Sequence, residues 1–191
     1  FKFSVSLIPH RLALWIKSSI NIFLITSIVG IEHTGLYTIS LQLGMVVNIF
    51  SSAFNSAYGP YLFEKLKSPT YKIKLHLVKF IYTYSIFIFL FSIIIGNTFI
   101  YIIPYVLDVK FHDSVMYVLG ISISYSIHAV YLIIVNYLFF IKKNNHISFV
   151  TVISSIFHFL ISYFLINIYG ISGAIYASIL SSVLMLILIW M

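Results

Sequence analysis

Cysteine is absent from these 191 residues, and acidic side chains are nearly so. Without thiols there is no disulfide framework and no thiolate metal site, and the redox compartment leaves no mark. Asp and Glu number 4 in all, each near a loop or a helix end, so conventional acid–base catalysis has little to work with. Missing too are a Gly-rich phosphate loop, an HExxH pair and a GxSxG elbow. We therefore expect no catalytic residue, no metal and no cofactor, and the chain reads as a protein other than an enzyme. Charged residues make up only 8% of it, against roughly 25% in an ordinary soluble domain.

What is abundant is apolar surface. Hydrophobic residues reach 61%, and a domain of this size leaves too much of its surface exposed to hide such an excess in a core. Lipid is the solvent that tolerates it. The net charge of +7 raises nucleic acid as a partner, but the basic residues are few and scattered among apolar spans, which excludes it. Membrane lipids are the expected surroundings. The chain opens on Phe1 with no charged leader and no small-residue cleavage site, and we expect it to be a fragment of a longer protein.

A membrane-crossing helix needs about 20 mostly apolar residues. Stretches free of Lys, Arg, Asp and Glu run Thr34–Phe63, Phe80–Leu107, Ser114–Ile141 and Asn144–Met191. The last is broken near its middle by Tyr169–Gly170 and Gly173, so it holds two helices joined by a tight turn. A further span from about Leu12 to Val29 carries one charge, Lys17. The expected class is an all-α integral membrane bundle of six transmembrane helices, with spans A 10–30, B 35–57, C 79–103, D 114–139, E 146–168 and F 171–191. Barrel strands would alternate strictly, and these Ile/Leu/Phe/Val runs do not.

Orientation follows from the cations. Lys2 and Arg11 precede span A; Lys65, Lys67, Lys72, Lys74 and Lys79 lie between B and C; Lys142 and Lys143 lie between D and E. The other side shows Glu32, Asp108, Lys110 and Asp113. The basic side is expected to be cytoplasmic, with both ends of the chain on it.

Polar residues inside the spans mark where function is to be sought. On span A, His10, Leu14, Lys17 and Asn21 share one face by their i, i+4, i+7, i+11 spacing. Lys17 sits about 9 Å deeper than Arg11, where a lysine costs roughly 2.5–3.5 kcal/mol to insert. Two readings stand: the ammonium faces an anionic cargo, or its stem snorkels back to the headgroups. Span B offers Tyr37, Gly44, Asn48, Ser51 and Asn55; with Lys17, Asn21 and Arg11, Asn48 and Asn55 complete the candidate cavity lining. The small and hydroxylated residues of span E (Thr151, Ser154, Ser155, His158, Ser162) and of span F (Ala174, Ser178, Ser182) read better as helix packing. His128 and His158 are candidates for proton coupling, because histidine alone titrates near neutral pH.

The order of motifs then becomes recognisable. Leu7-Ile8-Pro9-His10-Arg11, Trp15 and Ser18-Ser19-Ile20-Asn21-Ile22-Phe23-Leu24-Ile25 open the chain. Thr34-Gly35-Leu36-Tyr37-Thr38-Ile39-Ser40 and Phe54-Asn55-Ser56-Ala57-Tyr58-Gly59-Pro60-Tyr61-Leu62-Phe63-Glu64-Lys65-Leu66 follow. This resembles the start of the second half of bacterial polysaccharide flippases, the O-antigen and capsule transporters of the superfamily that includes the multidrug exporters. Tyr137-Leu138-Phe139-Phe140-Ile141-Lys142-Lys143 and Tyr169-Gly170-Ile171-Ser172-Gly173-Ala174 resemble later landmarks of the same family. Where many members carry an acidic–basic pair this chain has Ile20-Asn21, so the role of that pair does not carry over.

The resemblance implies one lobe, the C-terminal six helices, of a twelve-helix, two-lobe transporter of the inner membrane whose N-terminal lobe is missing here. Its cargo would be a lipid-linked oligosaccharide on undecaprenyl pyrophosphate, moved from the cytoplasmic to the periplasmic leaflet by alternating access. Its partners would be the missing lobe and other polysaccharide assembly proteins. The alternatives are a multidrug or small-molecule exporter of the same superfamily and an integral membrane polysaccharide polymerase or acyltransferase. The first favours carboxylates near span centres and the second a sizeable external loop, and neither feature is present.

Overall fold

The computed structural model describes residues 8–190, and the bundle is built from six helices long and apolar enough to cross a membrane. They are α1 (Ile8–Ile28), α2 (Ile31–Leu66), α3 (Tyr71–Val106), α4 (Val115–Phe140), α5 (Asn144–Tyr169) and α6 (Ile171–Trp190), with a 3₁₀ turn at Val109–Ser114 before α4. No strand occurs among the described residues. Lys2, Leu7 and Met191, used in the sequence reading, lie outside them. The chain is a multi-pass membrane protein.

Two helices run farther than the expected spans. α2 and α3 have 36 residues each, whereas hydropathy suggested 35–57 and 79–103. Hydropathy falls where the lysines begin, but the i→i−4 ladder does not depend on apolar side chains and continues past them. Thr70 caps α3 by accepting from the Ile73 N–H at 3.3 Å. Pro104, expected in the loop, lies inside α3, which closes two residues later with the Leu107 N–H on the Ile103 carbonyl.

Helix α4 is the hub, packed on α2, α3 and α6; α5 joins α6 to α1, and α1 touches α2 to close a ring. Close approaches at Gly44, Gly96, Gly120 and Gly173 rely on the missing side chain of glycine. A Cβ at Gly120 would strike Ile175, and one at Gly173 would overlap the Leu165 carbonyl, so α5 reverses into α6 through Gly170 alone, at φ 57.

Three apolar clusters stabilise the ring. One holds α2, α3 and α4 around Val47, Tyr58, Ile88 and Ile133. A second gathers Leu24, Ile25, Ile121, Ile166 and Ile175 towards the Gly30 and Gly170 turns. The third gathers Ile134, Leu138, Ile147, Met185 and Ile189 towards the opposite end. Lys17, Asn21, His158, Ser162, Ser178 and Ser181 fall between the last two, so a polar layer crosses the bundle between apolar ones. Outside, α3 shows Tyr82, Ile86, Leu90 and Ile94 as an exposed stripe, the surface that bilayer tails require.

A cationic layer at mid-depth as the candidate functional site

Helix α1 lies along α5 in parallel register. The Ser155 hydroxyl donates to the Ala13 carbonyl at 2.8 Å and the Ser162 hydroxyl to Asn21 Oδ1 at 2.9 Å. Lys17, midway between Ala13 and Asn21, therefore sits opposite His158. By a rise of about 1.5 Å per residue, His158 is about 21 Å from Asn144 and about 16 Å from Tyr169. That is near the middle of α5. The partly buried ammonium donates to the Ser182 hydroxyl of α6 at 3.5 Å.

Asn21 is a four-helix node. Its amide nitrogen donates to Tyr37 Oη of α2 at 3.1 Å and to Ser178 Oγ of α6 at 3.0 Å, while its oxygen accepts from Ser162 of α5. These contacts employ both amide protons and one oxygen lone pair. His158 continues the chain, with Nδ1 3.0 Å from Ser181 Oγ and Nε2 3.5 Å from Ser162 Oγ. His10 is hydrogen-bonded through Nδ1 to Thr151 Oγ1 at 3.1 Å. His128 lies over the Tyr131 ring with centroids 5.7 Å apart.

The candidate residues thus separate. Lys17, Asn21, His128 and His158 share the interior layer, which draws on α1, α4 and α5. Asn48, on α2, lies between the Gly44–Ile121 and Asn55–Asn136 contacts with α4, at a similar depth. Asn55 lies nearer the lysine-rich end and accepts from Asn136 at 2.7 Å, tying α2 to α4. Arg11 is exposed at the end of α1, away from Lys17. Sequence reasoning missed Asn136, a lone amide inside the apolar run Tyr131–Leu138, and Ser181, the nearest partner of His158.

The electrostatics of the layer are one-sided. Lys17 lies in it, whereas Glu32, Glu64, Asp108 and Asp113 are all exposed. Among the described residues no group of His, Cys, Asp and Glu is arranged to hold a metal. What the layer offers is positive charge with hydroxyl and amide donors, the chemistry of anion recognition.

Two curated proteins of Haemophilus influenzae are similar to this chain. "Lsg locus putative protein 1" is 32% identical over 161 residues, covering 82% of this chain and 39% of the relative. A protein described as "Uncharacterized membrane protein" is 31% identical over 162 residues, covering 82% of this chain and 38% of the relative. The chain spans about two fifths of the length of these relatives. No family model and no solved structure matches it.

Proposed function

We propose that the chain is one lobe of a two-lobe transporter that carries a lipid-linked oligosaccharide across the bacterial inner membrane, its basic end cytoplasmic. The observation that carries this reading is Lys17, an ammonium midway along the bundle with no carboxylate in its layer. Burying a lysine there costs roughly 2.5–3.5 kcal/mol, and an unpaired cation earns that position when an anion is to pass. A pyrophosphate crossing the bilayer loses hydration, and a fixed cation beside amide and hydroxyl donors offsets the loss. The lipid tail stays in the bilayer, so the protein need shelter only the head. Export of a cationic drug would call for the opposite charge in the layer.

The two-lobe architecture rests on the resemblance, and it accords with relatives more than twice as long as the stretch they share with this chain. The reading employs no catalytic residue and no cofactor. The test is complementation of a flippase-deficient strain with the complete protein, scored as surface polysaccharide per membrane-inserted molecule. Lys17→Gln should lower export at least tenfold with insertion intact, and Lys17→Arg should retain part of it, because charge survives in a differently shaped head. Full export by Lys17→Gln would remove the ammonium from the cargo path.

A further inference from the structure

Independently of the transport reading, one end of the bundle gathers cations from two separate turns. Lys65 and Lys67 lie where α2 ends, Lys72 and Lys74 where α3 begins, and Lys142 and Lys143 in the turn from α4 to α5. All are exposed except Lys65, which is partly covered. Two contacts set the turns side by side. The Phe63 and Phe140 rings lie 5.7 Å apart, and Asn136 donates to Asn55 at 2.7 Å. Glu64 is the acid at this end, so cations dominate the surface.

Depth is given by aromatic side chains. Tyr61, Tyr71 and Tyr137 are exposed here, at 38%, 80% and 49%, and tyrosines of that kind settle at the membrane–water boundary. Lys65 lies about 6 Å beyond Tyr61 along the helix, its ammonium 5.5 Å from the tyrosine ring centroid. On α3, Lys72, His76 and Lys79 form a stripe at i, i+4 and i+7 beside the exposed Tyr71, Leu75, Val78 and Tyr82. The ammonium groups therefore stand at the level of lipid phosphates, next to a face that meets lipid tails. The opposite end differs: Glu32, Asp108 and Asp113 stand with Lys110, and no cationic cluster forms.

We propose that this rim is a binding surface for anionic phospholipid headgroups, held at the junction of α2 and α4 by Lys65, Lys67, Lys142 and Lys143. Basic pockets between transmembrane helices at headgroup depth recognise such lipids by charge. Lys65 lies in the last turn of α2, and Lys67, Lys142 and Lys143 lie in the short turns that follow α2 and α4, whose ends the Phe63–Phe140 ring contact holds together.

The experiment is native mass spectrometry of the full chain released from nanodiscs of phosphatidylcholine mixed with phosphatidylglycerol. The wild type should retain phosphatidylglycerol several-fold over phosphatidylcholine. The four-lysine Gln variant should lose that preference, retaining the two lipids nearly equally, and the four-lysine Arg variant should keep it, showing that the rim still folds. Lys110→Gln, at the other end, should change nothing, and higher salt should weaken the preference because exposed charges are screened. No preference in the wild type, a preference that survives the four Gln changes, or an equal loss in Lys110→Gln would each overturn the proposal.

Discussion

Helices α2 and α3 are joined by rings, whereas α1, α5 and α6 are joined by hydroxyls and amides, although both regions are mostly apolar in composition. Between α2 and α3, Phe54 stacks on Tyr84 at 4.6 Å, Tyr58 on Phe80 at 5.0 Å, and Phe50 meets Phe91 at 4.8 Å. Such pairs add about 0.5–1.5 kcal/mol each beyond the area they cover. Around α1 the contacts are hydrogen bonds of Asn21, Ser155, Ser162 and Ser182. Bonds of this type contribute only about 0.6 kcal/mol on average inside a membrane, because the separated helices find other partners. The difference teaches where stability and where polarity reside: the aromatic half is the stiff frame, and the hydroxyl half holds the charge.

The comparison can be broken at three points, the frame first. Phe54→Ala should cost about 3 kcal/mol, the usual scale for truncating a packed ring, read as a lowered thermal midpoint in detergent, with Phe54→Leu recovering much of it. A small effect would deny that the ladder is the frame. Next, Asn21→Ala should cost about 1–2 kcal/mol, the upper range for a polar contact between membrane helices. Combining it with Ser162→Ala should give less than the sum of the single losses, since the two share a bond; strict additivity would dissolve the node. The smallest effect belongs to Ser181→Ala, about 0.6 kcal/mol. If it destabilises as much as Phe54→Ala, the contrast between the halves fails.

Much of this frame was legible in the sequence, and the reasons for the rest are physical. The spans could be counted because charged residues or glycines separate the apolar runs. The ends of α2 and α3 could not, because helical hydrogen bonding outlasts hydropathy. The spacing of His10, Leu14, Lys17 and Asn21 announced a shared face, and the structure turns His10, Lys17 and Asn21 inward. Arg11, adjacent in sequence, points elsewhere, since neighbours on a helix are about 100° apart. That His158 would meet Ser181, or Asn55 meet Asn136, depends on which helices touch, and hydropathy carries no record of helix pairing.

The hydroxyls of α5 bear on how α1 can be displaced. Thr151, Ser155, His158 and Ser162 offer a donor or acceptor on nearly every turn of the same face. Were α1 to slide by one turn, about 5.4 Å, His10 would leave Thr151 for the neighbourhood of Ser155, and Lys17 would come level with Ser162. His10 and Lys17 would exchange partners, but Asn21 would leave Tyr37, Ser162 and Ser178 for Ile166 and Ala174. The α5 face is a track with evenly spaced footholds, and Asn21 is the pin that fixes α1 at one position along it.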